Sequence, residues 1–425
     1  MNEKSTSVGQ IRIDGYDYPL PDHRIAKFPL DRRDTSKLLV YRDREIGETA
    51  FDRLPDCLPD GALIVFNNTR VIRARIMFRK ETGAAIEIFC LEPEYPADYA
   101  QNFQSRGRCR WQCLVGNLKR WKDGRLRRSF PIGGDVVTLE AERIRTCGQA
   151  HGISFEWDNP SYTFADILDA AGVLPIPPYL HRETVKSDLE TYQTVYSKIK
   201  GSVAAPTAGL HFTPAVMDAL LAKGCKMEEL TLHIGAGTFK PVQTATIGEH
   251  EMHTEHLAVG RSTIASLLEY AGRTTAVGTT SVRTLESLYH IGAILAVDPD
   301  ADPSRLEVKQ WTPYEGILPD IPTATALANI LKYLDRNGLE KIVASTKIII
   351  APGYRFRIVN SMITNFHQPR STLLLLVSAF VGGDWRRIYD YALSRDFRFL
   401  SYGDASLLTG VNSSPSEKNE IRFDG

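Results

Sequence analysis

Five histidines and one glutamate carry the densest chemistry in this chain: His211, His233, His250, His253, His256 and Glu255. A free imidazole titrates near pH ~6.5, which suits proton transfer at neutral pH. His250, His253 and His256 are spaced by three, with Glu251 and Glu255 between them. Imidazoles and carboxylates are zinc ligands, so a metal site is one reading. On a helix that spacing brings the three rings loosely toward one face. Against it, no HExxH pattern is present and Gly248 makes a helix start uncertain. Acid–base work or substrate binding is the second reading, and ordinary surface histidines the third.

The elements that must position these groups centre on residues 201–239, GSVAAPTAGLHFTPAVMDALLAKGCKMEELTLHIGAGTF. Thr213 fits a helix N-cap and Pro214 the first helical position, where no N–H is needed. Val216, Met217, Leu220 and Leu221 follow at helical spacing, and Gly224 is placed to end the helix. Leu230 to Ile234 reads as a strand, with Gly235 and Gly237 allowing a sharp turn after it. His211 and His233 thus stand at element ends, which face clefts more often than element middles do. The glycine pair does not make a dinucleotide fingerprint, because Pro241 and β-branched residues follow where that motif needs a helix.

Three stretches share a strand, a short polar turn and a helix start: Ala208 to Pro214, Thr279 to Arg283, and Asn365 to Thr372. Helix N-termini favour a carboxylate or phosphate, with plain capping as the alternative. Thr280, Ser281 and Arg283 are candidates for an anion at the second stretch; Asn365, His367 and Arg370 line the third.

The 425 residues include 51 basic and 51 acidic side chains, for a formal net charge of zero. Such a balance argues against non-specific coating of nucleic acid but leaves room for a local basic face. The six cysteines form no CxxC pair and read as reduced thiols of a cytoplasmic protein. The start MNEKSTSVGQ lacks an apolar signal core, and the run Leu373 to Val381 is too short to span a bilayer.

Texture divides the chain. Residues 71–158 consist of short alternating segments separated by turns such as Lys122-Asp123-Gly124, which predicts a small β-barrel. Glu92 to Arg108 reads as a long loop. Residues 1–70 and 159–425 read as one discontinuous mixed α/β domain into which the barrel is inserted. Tyr162 to Ala171, DLETYQTVYSKIKG, Ser262 to Tyr270, ATALANILKYLDRNG and Trp385 to Ser394 are expected helices; Lys347 to Ala351 is an expected strand. Arg32, Arg33, Asp34 and Lys37 form a charged knot that reads as a solvated turn. Arg120, Lys122, Arg125 and Arg127 belong to a basic run in the insert with Asp123 alone against them. That run is either a solvated strand face or an RNA-contact face.

Ten motifs then occur in order: RDTSKLLV, LIVFNNTRVI, YQTVY, SVAAPTAGLHFT, TLHIGAGTFKPV, HEMHTE, VGTTSVRTLES, PGYRF, ITNFHQPRSTLLLLVSAF and SYGDASLL. Together they closely resemble the S-adenosylmethionine:tRNA ribosyltransferase-isomerase family of queuosine biosynthesis, over nearly the whole chain. The resemblance implies ribosyl transfer from S-adenosylmethionine to 7-aminomethyl-7-deazaguanine at the tRNA wobble position, giving epoxyqueuosine with release of adenine and methionine. It implies a mixed α/β fold with an inserted β-barrel, no metal, and S-adenosylmethionine as a consumed co-substrate. Expected catalytic residues are His211, His233, His253 and Glu255. Expected substrate contacts are Thr207, Gly235, Ala236, Gly237, Thr238, Phe239, Thr280, Arg283, Asn365 and His367, with the basic insert as the tRNA surface of a monomer. The chain departs from the family at Asn68, where Asp is usual, at a longer Glu92–Gly107 loop, and at Ala351 before PGYRF. The alternatives are a paralogue with a changed acceptor and a metal-dependent hydrolase using His250, His253 and His256.

Overall fold

The computed structural model describes residues 8–148, 150–235 and 242–410. Ala236, Gly237, Thr238 and Phe239 therefore lie outside the described residues. The fold is mixed α/β, built on two large sheets.

Ten strands form the first sheet. In spatial order they are Glu307–Val308, Lys341–Thr346, Glu255–Gly260, Lys226–His233, Leu63–Asn67, Thr274–Val277, Ser361–Asn365, Ala405–Thr409, Lys37–Arg42 and Glu45–Ala50. The four central strands, Lys226–His233, Leu63–Asn67, Thr274–Val277 and Ser361–Asn365, run parallel. Leu63–Asn67, Thr274–Val277 and Ser361–Asn365 are buried almost throughout, as strands covered on both faces are, whereas Lys226–His233 is mostly half-buried. The long helix Thr279–Val297 covers one face, together with Thr323–Asn337, in the main apolar core. A second cluster, including Phe51, Phe66, Phe212 and Leu220, fills the other side. Because the central strands are parallel, their carboxyl ends share one edge. Loops from that edge form the crevice where ligands bind in open α/β sheets.

The second sheet has seven strands, all antiparallel: Gly172–Val173, Arg75–Arg79, Ala85–Tyr95, Arg108–Gly116, Ala150–Trp157, Asp135–Cys147 and Leu126–Ile132. It curls: Arg128 at one end donates to the carbonyls of Met77 (3.0 Å) and Ala171 (2.8 Å) at the other. Its core, around Trp111, Phe155 and Leu139, also takes in the helix Phe164–Ala171.

Several expected elements change on folding. The stretch DLETYQTVYSKIKG is not one helix. It gives a single turn, Asp188–Thr191, and then a strand, Ile199–Ser202, beside Thr69–Val71. Arg33 takes the carbonyls of Glu190 (3.0 Å) and Gln193 (2.9 Å), and the Gln193 amide brackets the backbone of Val71. These bonds replace the helical ladder, so the charged knot at 32–37 is a clip and not a solvated turn. The strand expected at Lys347–Ala351 is Lys341–Thr346 instead. The expected long loop after Glu92 is ordered by a strand reaching Tyr95 and a helical turn, Tyr99–Phe103. In the helix Pro214–Ala222 Val216 and Leu220 are buried, but Leu221 is exposed.

Candidate active site

At the shared edge of the parallel strands lies a cleft of about 740 Å³ including its open mouth. Thr207, Thr280, Asn365 and His367 line it, with Tyr179 and Tyr192 opposite and small residues such as Ala205 and Gly278 between. Gly278 has φ +85° and links the strand Thr274–Val277 to the long helix; a side chain there would press on Thr280 Oγ1 at 3.4 Å.

The first turns of the long helix carry two buried polar atoms with no partner among the described residues, Thr280 Oγ1 and Arg283 Nη2. Three residues apart on a helix, they lie on one face. Arg283 is otherwise committed: Nη1 pairs with buried Glu255 and Nε donates to the Ile348 carbonyl at 3.2 Å. Burial raises the Glu255 carboxyl above its ordinary pKa, opposed by Arg283 and His253. A buried donor left open is costly, so this pair marks a place prepared for an anionic or strongly accepting group.

His211 does not point into the cleft. Its Nδ1 is 2.8 Å from Ser36 Oγ and its Nε2 is 3.0 Å from Asn365 Nδ2. The ring stacks on Phe51, and burial lowers its pKa to about 3. Asn365 in turn accepts from Thr207 Oγ1 at 3.0 Å. The histidine expected to move protons sits behind the wall, holding two side chains that do line it.

His233 ends the strand Lys226–His233 and stacks on Tyr99 of the helical turn Tyr99–Phe103, with ring centroids 4.0 Å apart. Burial lowers its pKa to about 4, and its Nδ1 has no partner among the described residues. Gly201 makes the approach possible, since a Cβ there would stand 2.5 Å from that nitrogen. His253 is exposed next to buried Glu255. His367 keeps Nε2 at 3.0 Å from Thr364 Oγ1, with burial lowering its pKa to about 3. Gly235 is half-buried at the end of the same strand as His233.

The His250 to His256 stretch is not helical. Gln310 holds it extended, accepting from the Met252 amide (3.0 Å) and donating to the His250 carbonyl (2.7 Å), and His256 lies in the strand Glu255–Gly260. Extended backbone sends alternate side chains to opposite faces. Among the described residues no three His, Cys, Asp or Glu side chains are grouped to hold a metal. Arg370, expected at the third helix start, pairs with Asp17 instead.

In the insert, Arg125 meets Glu140, Glu142 and Glu156 at 2.9–3.0 Å, and Arg127 meets Glu140 at 2.7 Å. The basic run therefore lies beside carboxylates of neighbouring strands that are distant in sequence. Arg120 and Lys122 are exposed. Asn68 lies at the end of the strand Leu63–Asn67, donating to Glu229 (3.2 Å) and accepting from Thr231 (2.9 Å). An Asp there would face Glu229 as a like charge. Tyr192 and Ser401 escaped site assignment, although both stand inside quoted motifs, YQTVY and SYGDASLL.

A crevice at the carboxyl edge of parallel strands, with open hydrogen-bond donors at a helix start, defines an α/β ligand-binding enzyme site. The particular kind follows from relatedness. The family described as "Queuosine biosynthesis protein" matches residues 13–408, and the chain belongs to it. It is 37% identical over 408 residues to the S-adenosylmethionine:tRNA ribosyltransferase-isomerase of Citrifermentans bemidjiense, covering 93% of this chain and 99% of that one. It is 36% identical to the protein of the same name from Geobacter metallireducens, over 93% of this chain and 99% of the relative. A solved S-adenosylmethionine tRNA ribosyltransferase from Thermotoga maritima is 27% identical, covers 92% of this chain and 99% of its own, and superposes with a TM-score of 0.44.

Proposed function

We propose that this chain transfers and isomerises the ribosyl moiety of S-adenosylmethionine onto 7-aminomethyl-7-deazaguanine at the wobble position of tRNA. The product is epoxyqueuosine-tRNA, with adenine and methionine released. Full-length relatives of that name support the reading. The observation that carries it to a site is the unpartnered pair Thr280 Oγ1 and Arg283 Nη2 at the start of the long helix, suited to the methionine carboxylate of the donor.

The chemistry then assigns roles. A base removes a proton from the carbon beside the sulfonium; the resulting electron pair expels adenine, which takes a proton as it leaves. The neutral amine of the acceptor bonds to the ribosyl carbon, and methionine departs as a thioether. His211 and His233 are held neutral by burial and act as hydrogen-bonding groups. Glu255, whose carboxyl burial raises above its ordinary pKa, and exposed His253 are the proton carriers. Thr207, Asn365 and His367 contact the donor from the cleft wall.

The curled sheet forms a β-barrel domain inserted into the α/β domain, running from residue 71 to about 173 once its helix and last strand are included. Arg120 and Lys122 meet tRNA phosphates, while Arg125 and Arg127 shape that face through their glutamates. The target base sits in a single-stranded anticodon loop and is splayed out without melting a duplex. The protein works as a cytoplasmic monomer; among the described residues no helix is long and apolar enough to cross a membrane.

Isotope placement tests the reading. Donor labelled in the ribosyl carbons should pass its label to tRNA, and donor labelled in the methyl group should not. Methyl label on the tRNA would replace ribosyl transfer by methylation.

A further inference from the structure

Tyr192 is fully buried, yet its ring lines the cleft and its hydroxyl has no hydrogen-bond partner among the described residues. The nearest polar groups do not satisfy it. Ser401 Oγ is committed to Tyr179 Oη at 2.6 Å; Ser401 and the Ala205 backbone lie close enough to the phenol to oppose the rise of its pKa, but neither meets the distance and angle of a hydrogen bond. A buried phenol normally finds a partner, so one left open on a cleft wall points to a ligand. Its immediate surroundings are apolar: Leu174, Ala205, Leu210 and Tyr402 pack in the same cluster. The other unpartnered side chain of the lining, Thr280, stands elsewhere, at the start of the long helix three residues before Arg283. A molecule with one anionic end and one flat, weakly polar end would place the flat end against Tyr192.

We propose that Tyr192 contacts substrate directly, its hydroxyl donating a hydrogen bond to an acceptor atom on the purine–ribose half of the bound S-adenosylmethionine. This rests on the ribosyl-donor reading given above. Burial holds the phenol proton well above the ordinary tyrosine range, so the group donates a hydrogen bond and does not give up its proton. Tyr192 thereby discriminates between donors with and without an acceptor at that position, since an unmatched donor would leave the hydroxyl buried and unpaired.

The test is equilibrium binding of S-adenosylmethionine and of 5′-methylthioadenosine, which lacks the amino-acid carboxylate, to the wild-type chain, Tyr192→Phe and Thr280→Val. Tyr192→Phe should weaken both ligands by about tenfold, as expected for one buried hydrogen bond. Its thermal midpoint without ligand should be unchanged or higher, because an unpaired buried hydroxyl has been removed. Thr280→Val should weaken S-adenosylmethionine alone. If Tyr192→Phe binds both ligands within about twofold of wild type, the contact does not exist. A loss confined to S-adenosylmethionine would overturn the assignment to the purine–ribose half. A lowered midpoint with equal losses for both variants would make Tyr192 structural. If the wild-type chain binds neither ligand, the donor reading itself falls, and this inference with it.

Discussion

Asn365 Nδ2 donates to His211 Nε2 at 3.0 Å, and this bond fixes where the imidazole proton lies. With Nε2 accepting, Nδ1 carries the hydrogen and gives it to Ser36 Oγ at 2.8 Å. Thr207 Oγ1 completes the chain by donating to Asn365 Oδ1. Asn365, and through it Thr207, is thus held by a histidine that is not part of the cleft lining, itself tied to Ser36.

Replacing His211 by Phe should therefore act through donor binding. The Asn365 amide loses a buried partner, a change of about 1–3 kcal/mol, or roughly fivefold to 150-fold in kcat/KM. Most of it should appear in KM for S-adenosylmethionine. The pH at which kcat/KM turns over should stay where it is in the wild type. A kcat loss with displacement of that pH would show that His211 moves protons.

Four histidines, His211 and His290 buried and His233 and His367 half-buried, make the fold acid-sensitive. His211 and His367 are lowered to about 3, and His233 and His290 to about 4, in each case first by desolvation. Unfolded, all four titrate near ~6.5. Below that pH the unfolded chain binds protons that the native chain refuses, so stability falls as pH drops from about 6.5 toward 4. Each histidine adds at most about 1.4 kcal/mol per pH unit to the slope. Above pH ~7 these groups contribute no slope. Urea midpoints measured across this range should fall on the acid side; a flat profile would contradict the burial.

Gly201, in the strand Ile199–Ser202, packs against both His233 and Tyr99. Gly201→Ala would place a methyl 2.5 Å from His233 Nδ1 and 2.9 Å from the Tyr99 ring, at a φ of +141° that L side chains avoid. Product formation and thermal midpoint should both drop. Tyr99→Phe keeps the stack and should stay near wild type in both. If Gly201→Ala is silent, the Tyr99–His233 contact does not matter to the site.

Much of this was legible in sequence, and the misses have physical causes. The cap at Thr213, the helix after Gly278 and the glycine stop at Gly338 were readable because each is decided by a few neighbouring residues. Family motifs carried the reaction. Thr280 and Arg283 were expected as anion ligands, and each keeps a buried polar atom without a partner among the described residues. The helix expected from Asp188 onward failed because groups more than a hundred residues away take its backbone: Arg33 the carbonyls of Glu190 and Gln193, and the Asn68 carbonyl the amides of Lys198 and Ile199. The insert's positive asymmetry is real along the chain but weaker in space, because β pairing brings Glu140 and Glu156 beside Arg125 and Arg127. Tyr192 could not be found from residue type alone, since what distinguishes it is the absence of a partner.

The same charge geometry separates the insert's residues by role. Arg120→Ala and Lys122→Ala should each weaken tRNA binding and reduce the salt slope by about one unit for every phosphate no longer neutralised. Arg125→Ala removes the cation shared by three glutamates and should alter the slope less while lowering the thermal midpoint of the chain. Equal slope changes for all three variants would make the whole run a phosphate surface.

The most direct measurement is a mass-spectrometric product assay with S-adenosylmethionine and an anticodon stem-loop carrying 7-aminomethyl-7-deazaguanine. Adenine, methionine and the epoxide nucleoside should appear in equal amounts, and all three should fall together when Thr280 is replaced by Val. Donor left unconsumed, or adenine released without the modified nucleoside, would contradict ribosyl transfer to this acceptor.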